Sequence, residues 1–193
     1  MGVVLTNEAK IGLFSKRILT LTEDNFKDKQ INELIGQLVI FNFENKDPVT
    51  LLIDSDGGCV EAGFKFYDFL RCSSAPVTGV AIGQCKSMGI VILQGCNKRI
   101  ATRHSFFALH SMKWKDEFEV LQNPHMQFRK EFRETKILQE KYINVLAGRS
   151  GTDKKIIRSL ICNGDKFNSD FSPEKALTIG LIDEIVETYD LFS

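Results

Sequence analysis

The sequence predicts an α/β fold with a single domain, in which repeated βαβ units build a largely parallel sheet. Short apolar runs alternate along the chain with stretches whose apolar residues recur at helical spacing. Glycines occupy two of the junctions where a predicted strand leads into a helix. No internal repeat, low-complexity tract or linker interrupts this pattern, so residues 1–193 are expected to form one domain of ordinary size.

The first half of the chain begins with two predicted strands, residues 18–21 and 49–53. Between them lies a predicted helix over residues 25–43, which ends before Pro48. A second helix is predicted over residues 61–70 and a third strand over residues 76–81. The apolar residues expected on the packed face of the first helix are Ile31, Leu34, Ile35, Leu38, Val39 and Phe43.

The second half continues with a predicted helix over residues 87–93 and short strands over residues 99–101 and 105–109. The longest predicted helix covers residues 126–147. Thr152 is the expected cap of a short helix, and Ser172 with Pro173 begins the last one. The side chains of the longest helix that are expected to pack are Phe128, Phe132, Ile137, Leu138, Tyr142, Ile143 and Leu146.

The composition excludes several classes of function. The 25 Lys and Arg residues balance the 25 Asp and Glu residues, so no net field attracts nucleic acid or an anionic membrane surface. The N-terminus lacks the features of a signal peptide, and no apolar run approaches the length needed to cross a bilayer. We expect a soluble cytoplasmic protein that binds neither nucleic acid nor membrane.

The five cysteines form no disulfide or metal pattern. Cys59, Cys72, Cys85, Cys96 and Cys162 include no C-x-x-C pair and no His–Cys ligand spacing. They are expected to be small core residues in a reducing compartment, and no metal or other cofactor is expected. Since Cys59 and Cys85 flank the candidate site, a cysteine nucleophile is the weaker alternative to the serine there.

A serine between glycines is the first candidate for chemistry. Ser87 lies in the run Gly-Gln-Cys-Lys-Ser-Met-Gly at a strand-to-helix junction, and His110 ends a later apolar run. A serine hydroxyl needs a base to remove its proton before it attacks a carbonyl, so Ser87 is the candidate nucleophile and His110 the candidate base. Taken singly, each residue could have only a packing role.

A glycine pair completes the candidate site. Gly57 and Gly58 follow an apolar strand and precede a helix. Glycines at such a turn let the backbone N–H groups point outward, where they can bind an oxyanion or a phosphate. A Gly-Gly turn is weak evidence alone, and its value lies in its combination with Ser87 and His110.

Together these segments resemble the Clp protease proteolytic subunit family (ClpP). In that family a Ser-Pro-Gly-Gly turn builds the oxyanion hole, Ala-Ser-Met-Gly carries the nucleophile and His-Ser-x-x-x-x-His-Gln-Pro carries the base. The corresponding segments here are Ser-Asp-Gly-Gly (55–58), Lys-Ser-Met-Gly (86–89) and His-Ser-Phe-Phe-Ala-Leu-His-Ser-Met (104–112). The resemblance runs from about residue 16 to residue 186 and implies a ClpP/crotonase-like fold with a projecting handle helix.

Four residues depart from the family pattern. Asp56 stands where the oxyanion turn has proline, and Lys86 stands where alanine precedes the nucleophile. Ser111 and Met112 replace the Gln-Pro that follows the base. None of these changes removes a reacting group.

The resemblance implies a serine endopeptidase that hydrolyses unfolded polypeptides or peptides through an acyl-enzyme. Ser87 would be the nucleophile and His110 the general base and then the general acid. The backbone N–H groups of Gly58 and Met88 would be the oxyanion donors. No metal would be required, and any ATP dependence would belong to a partner.

The orienting member of the triad is the open position. The family places an Asp at the start of an Asp-x-Phe-x-Ser segment, and Asp165 has that spelling. Asp170 follows shortly after, while counting back from Ala176 and Gly180 without a gap leads to Asn168. We therefore rank Asp165 first, Asp170 second and Asn168, as an orienting amide, third.

The resemblance also implies assembly. In ClpP-like proteins a strand and a long helix form a handle through which two rings meet, and residues 114–120 with the following helix occupy that place here. We expect a ring of identical or ClpP-like subunits with a AAA+ unfoldase as partner, although the short segment 1–15 aligns poorly with the family's docking loop. The alternatives are a catalytically silent scaffold subunit and, less favoured, a crotonase-like acyl-CoA enzyme.

Overall fold

The computed structural model describes residues 6–22, 24–112, 124–161 and 168–187. The helices are α1 (Asn7–Ser15), α2 (Asp28–Glu44), α3 (Val60–Cys72), α4 (Met88–Gly95), α5 (Pro124–Ser150), α6 (Lys154–Ile161) and α7 (Pro173–Thr178). The strands are β1 (Ile18–Leu21), β2 (Val49–Ser55), β3 (Val77–Lys86), β4 (Lys98–Thr102), β5 (Phe106–His110), β6 (Asn168–Phe171) and β7 (Glu184–Val186).

The strands form one mixed sheet. β1, β2, β3, β4 and β7 are parallel neighbours in that order. The last part of β3 also pairs in parallel with β5, and β6 pairs antiparallel with β5. Parallel neighbours need a crossover connection, which α2, α3 and α4 supply between successive strands. The predicted α/β fold is confirmed, with β6 as an antiparallel strand that the sequence pattern did not predict.

β3 is longer than predicted. It continues past residue 81 to Lys86, because Gln84 pairs in register with Phe106 of β5. The Gln84 N–H also donates to Asp54 Oδ1 at 2.7 Å. This extension carries the chain to the residue immediately before Ser87, so the candidate nucleophile stands at the carboxyl end of the sheet.

The core surrounds α4. Every residue of this helix is buried, and it packs against α3, where Phe66 is fully buried, and against β2 and α5. Burial of one such large apolar side chain stabilises the fold by about 1.5–3 kcal/mol. The start of α4, and with it Ser87, is therefore held by the core itself.

The packed face of α2 differs from the prediction at one residue. Phe43 is 88% exposed, and Phe41 is buried instead. The other buried residues of α2, Ile31, Leu34 and Leu38, recur every three or four residues. Phe41 continues that spacing from Leu38 and Phe43 does not, which is why Phe43 points to solvent.

Two residues of α5 also differ from the prediction. Phe132 and Ile137 are each 50% exposed, whereas Tyr142, Ile143 and Leu146 are buried as predicted. The buried apolar side chains among the described ones of α5 lie in its second half. The side chain of Phe128 and the predicted handle strand, residues 114–120, lie outside the described residues.

The cap of α6 is Asp153 rather than Thr152. Asp153 Oδ1 accepts a hydrogen bond from the Lys155 N–H at 2.7 Å, the geometry of an N-cap side chain. Thr152 Oγ1 instead donates to the Ile179 carbonyl oxygen at 2.7 Å. Ser172 caps α7 as predicted.

Two arginines join the C-terminal elements at a site that we call the arginine junction, formed by Arg99, Arg149, Gln94 and Asp183. Arg99 donates to both carboxylate oxygens of Asp183 and, at 2.6 Å, to Gln94 Oε1. Arg149 donates to the carbonyl oxygens of Gln94 and Cys96 at 2.7 and 3.0 Å. The bonds tie α4, β4, α5 and the segment before β7 together.

Within the described ranges, no helix is long and apolar enough to cross a membrane.

Candidate active site

Ser87 occupies a strained turn between β3 and α4. Its φ of 48° and ψ of −121° are unfavourable for a residue with a side chain, at a cost on the order of 1–3 kcal/mol. The Ser87 N–H donates to the Ala108 carbonyl oxygen at 2.8 Å, and the Ser87 carbonyl oxygen accepts from the Ile90 N–H at 3.1 Å. Such strain persists where the surroundings fix the backbone, and it is concentrated at functional sites.

The turn at Gly57 and Gly58 lies against Ser87. Gly57 has a φ of 108°, which favours glycine. A Cβ on Gly57 would lie 2.9 Å from the Ser87 Cβ, and a Cβ on Gly58 would lie 2.2 Å from the Phe26 carbonyl oxygen. Neither position has room for a side chain, so the turn can approach the nucleophile closely.

The candidate oxyanion donors are the backbone amides of Gly58 and Met88. Met88 is the first residue of α4, so its N–H has no acceptor within the helix. The segment with Gly58 is fixed by hydrogen bonds from the Phe26 N–H to the Gly57 carbonyl oxygen (3.0 Å) and from the Cys59 N–H to the Phe26 carbonyl oxygen (2.9 Å). A Cβ on Gly57 would lie only 3.2 Å from the Met88 nitrogen. Amides of this kind at a helix N-terminus can stabilise an oxyanion.

His110 ends β5 and faces the same cavity as Ser87. Its Nδ1 lies 2.8 Å from the Ser111 carbonyl oxygen. Because a carbonyl oxygen only accepts, this contact assigns the proton of the neutral ring to Nδ1 and makes Nε2 the acceptor that a general base needs. No hydrogen bond joins Ser87 to His110 in the described part of the chain, and such contacts often tighten only when substrate binds.

The cavity has a volume of about 620 Å³, within the usual range for a ligand site. The structure brings together in its lining the sequence-predicted residues Ser87, His110, Gly58 and Met88. The remaining lining residues are Asp24, Asn25, Asp56, Gly57, Val60, Lys86, Ala108, Met112 and Tyr142. This space can hold a segment of an extended peptide beside the nucleophile.

The candidates for the orienting group differ in their place along β6. Asn168 is directly opposite His110 in the antiparallel register of β5 and β6, and Asp170 is opposite Ala108. Directly opposite residues of such a pair share one face of the sheet and are the nearest neighbours across the strands. Asp165 lies outside the described residues. Asn168 thus holds the register position closest to His110.

The sequence did not reveal two features of the cavity. Lys86 Nζ lies 2.8 Å from Asp56 Oδ1, although these residues are far apart in the chain. Tyr142 is 1% exposed, and burial raises the pKa of its hydroxyl. That hydroxyl has no hydrogen-bond partner among the described residues. One sequence signal indicated the contact between Lys86 and Asp56: both residues depart from the family pattern, and their charges are opposite.

The cysteine alternative for the nucleophile is not supported. Cys85 is fully buried, and burial raises the pKa of its thiol far above the ordinary value. A thiol that stays protonated is a poor nucleophile. Burial likewise raises the pKa of Cys96 to about 12, so both side chains are small core residues as expected. The expectation is wrong for Cys72, which is exposed, and Cys59 is only partly buried. Cys162 lies outside the described residues.

Comparison with known proteins agrees with this geometry. The Clp protease family model matches residues 6–189. The chain belongs to the Clp protease family. An ATP-dependent Clp protease proteolytic subunit from Oltmannsiellopsis viridis is 28% identical over 177 residues, which cover 90% of this chain and 85% of the relative. The subunit of the same name from Pleurastrum terricola is 26% identical over 174 residues, 89% and 84% of the two chains.

A solved structure gives the same result for the fold of this Clp protease family member. An asparagine-to-aspartate mutant of ClpP1 from Listeria monocytogenes superposes with a TM-score of 0.79 at 22% identity, over 95% of this chain and 99% of that chain. The ClpP-like fold and the family resemblance expected from the sequence are therefore confirmed.

Proposed function

We propose that this Clp protease family member is a serine endopeptidase that hydrolyses unfolded polypeptides or peptides. One observation carries the proposal. Ser87 at its strained turn, His110 with its Nδ1 against the Ser111 carbonyl oxygen and the Gly57–Gly58 turn all line one cavity. Membership of the family supports the reaction class, and the relatives bear the name of a protease subunit.

The proposed reaction proceeds through an acyl-enzyme. Ser87 Oγ attacks the carbonyl carbon of the scissile peptide bond while His110 Nε2 accepts the hydroxyl proton. The N–H groups of Gly58 and Met88 stabilise the negative charge that develops on the carbonyl oxygen. His110 then gives the proton to the leaving amine, and water releases the acyl group with His110 again as base.

For the orienting group we place Asn168 ahead of Asp165 and Asp170. Its register position opposite His110 supports this role, and so does the ungapped count from Gly180. An amide oxygen accepts a hydrogen bond from Nδ1–H but brings no negative charge to stabilise the imidazolium. Asp165, the first choice from the sequence, stays a prediction to be tested beside it.

We also propose that the chain works in a ring of identical or ClpP-like subunits, with a separate AAA+ unfoldase as partner. The relatives are named as subunits of an ATP-dependent protease. Phe132 and Ile137, half exposed on α5, offer apolar surface that a neighbouring subunit would bury. Sedimentation of the 21.9 kDa chain should therefore show a particle of several subunits. A fully active monomer would contradict the ring and leave the peptidase proposal standing.

Removal of the nucleophile tests the peptidase proposal. Ser87→Ala should lower hydrolysis of a fluorogenic peptide by at least about 10³-fold. Ser73→Ala is the control, because the Ser73 hydroxyl donates to Asn42 Oδ1 (3.1 Å) and to the Ala75 carbonyl oxygen (2.8 Å) and does not line the cavity. Undiminished hydrolysis by Ser87→Ala would exclude Ser87 as the nucleophile. An inactive but fully assembled parent would instead favour the silent scaffold subunit.

A further inference from the structure

The ends of β2 and β3 are joined side by side as they approach the cavity. Asp54 Oδ1 accepts a hydrogen bond from the Gln84 N–H at 2.7 Å. The next residues of the two strands, Ser55 and Cys85, are partners in the parallel register. The next pair is Asp56 and Lys86, whose charged atoms lie 2.8 Å apart. The ion pair is therefore the last cross-link before the Gly57–Gly58 turn and the nucleophile.

Backbone hydrogen bonds hold the Gly57–Gly58 turn to Phe26, but the ladder between β2 and β3 does not hold it to the strand that leads to Ser87. The register between β2 and β3 shifts between Ile53 and Ser55, so the regular hydrogen bonding is interrupted just before Asp56. Beyond it, a Cβ on Gly57 would lie 3.0 Å from the Lys86 carbonyl oxygen and 2.9 Å from the Ser87 Cβ. A small lateral shift of the turn would change the distance between the oxyanion donors and the nucleophile.

Lys86 also contacts the strand that carries the base. Its Nζ lies 5.4 Å from the centroid of the Phe106 ring on β5, within the range of a cation–π contact. The Lys86 side chain is 25% exposed, against 47% for Asp56. The Lys86 side chain thus contacts both the oxyanion turn, through Asp56, and the strand that ends at His110. Lys86 is also the residue immediately before Ser87.

The charges stand where the family pattern has no ionisable residue. A proline in the oxyanion turn restricts the backbone through its ring, and Asp56 gives no such restriction. This chain has the acidic Asp56 where the family pattern has proline. The residue before the nucleophile is Lys86, whose positive charge pairs with Asp56.

We propose that the Asp56–Lys86 ion pair is a clamp that positions the oxyanion turn against the nucleophile. Both are positioning residues, and this inference rests on the proposed peptidase function. Because the two side chains are partly exposed, the pair contributes little to folding stability. Its effect lies in the rate of the chemical step, where misplacement of a reacting group by a fraction of an ångström is costly.

A double-mutant cycle tests the clamp. We expect Asp56→Asn and Lys86→Met each to lower kcat for a fluorogenic peptide by about tenfold, with KM changed by less than about twofold. The double variant should lose about tenfold as well, because the second change removes a partner that no longer acts. Lys86→Arg, which keeps the charge, should retain most of kcat. The unfolding midpoint should stay within a few degrees of the parent in all variants.

The control is the more exposed ion pair between Lys65 and Asp28, at 2.7 Å, which joins α3 to α2 away from the cavity. Asp28→Asn should leave kcat unchanged. Additive losses of about a hundredfold in the double variant, losses confined to KM, or an unchanged kcat would each overturn the clamp. A parent that neither cleaves peptide nor reacts with a fluorophosphonate at Ser87 would overturn the peptidase function and the clamp together. A reactive parent whose variants match it would overturn the clamp alone.

Discussion

The cavity and the arginine junction differ in backbone strain, in the exposure of their charged side chains and in hydrogen bonding. At the cavity the backbone of Ser87 is strained, and the ion pair beside it is partly exposed. At the arginine junction Gln94 is fully buried, Arg99 is 7% exposed, and both are hydrogen-bonded. The contrast teaches that this fold accepts a strained backbone at the candidate site, whereas it buries the Arg99 guanidinium only where hydrogen-bond acceptors surround it.

The largest effect on the cavity side should come from Gly57→Ala. The new Cβ would collide with Ser87 at 2.9 Å, at a backbone conformation that favours glycine. Displacement of the oxyanion turn should lower kcat by about 10²–10³-fold, the cost of losing one oxyanion donor. Peptide hydrolysis measures the loss.

The control for that variant is Gly36→Ala in α2, where a Cβ meets nothing within 4 Å. Alanine in the middle of a helix should stabilise the chain by about 0.5–1 kcal/mol and leave kcat unchanged. Full activity of Gly57→Ala would show that the turn takes no part in the reaction.

The orienting group gives the next largest effect. Asn168→Ala should lower kcat by about 10²-fold, less than the ~10⁴-fold loss when the orienter of a Ser-His-Asp triad is changed. The reason is that the Ser111 carbonyl oxygen already contacts His110 Nδ1 at 2.8 Å. Asp165→Ala and Asp170→Ala are measured in parallel, and a larger loss in either would transfer the role to that residue.

The arginine junction should respond in stability rather than in rate. Asp183→Asn removes the carboxylate that pairs with the buried Arg99 and should destabilise the fold by about 2 kcal/mol, below the usual 3–5 because Asp183 is partly exposed. Glu184→Gln is the control, since its pair with Lys98 is exposed on both sides and should change stability by less than about 1 kcal/mol. Urea unfolding gives both values. Equal effects would mean that burial does not distinguish the two pairs.

The Asp183 carboxylate should also make the stability of the fold depend on pH. Burial raises the pKa of Asp183, but hydrogen bonds from Arg99 and the charges of Arg99 and Arg149 outweigh it and hold the pKa below its ordinary value. The stabilisation is then complete above the unfolded-state pKa of about 3.9 and is lost as the pH falls through the lower folded-state value. The difference in stability between the parent and Asp183→Asn should shrink below about pH 4.

The smallest effect tests the strain itself. Ser87→Gly relieves the positive φ, whereas Ser87→Ala retains it. Both variants should be inactive, and Ser87→Gly should be the more stable of the two by about 1 kcal/mol. Thermal unfolding of the pair measures this difference, and a less stable glycine variant would mean that the turn stores no strain.

Local periodicity predicted most of the fold, because strands and helices that pack on the core repeat their apolar residues. It missed β6, since Asn-Ser-Asp-Phe has no apolar alternation and becomes a strand only by pairing with β5. It assigned Phe43 to the core, although Phe41 and not Phe43 continues the three- or four-residue spacing from Leu38, and the structure buries Phe41.

The motifs also predicted which residues meet at the cavity. Ser87, His110 and the glycine pair were found because their chemistry requires those residue types at junctions that the pattern already marked. The contact between Asp56 and Lys86 was not found, because it depends on the register of β2 and β3 and on a shift within it. β2 and β3 are joined through α3, and the residues around Asp56 and Lys86 do not by themselves indicate the parallel register or the shift within it.

The central claim is that Ser87 is a nucleophile activated by His110, and covalent labelling tests it most directly. The assembled protein is treated with a fluorophosphonate, and the adduct is located by peptide mass spectrometry. The account predicts an adduct on Ser87 in the parent and almost none in His110→Ala, because the hydroxyl reacts only when a base removes its proton. No adduct on Ser87 in the assembled parent, or an equal yield in His110→Ala, would contradict it.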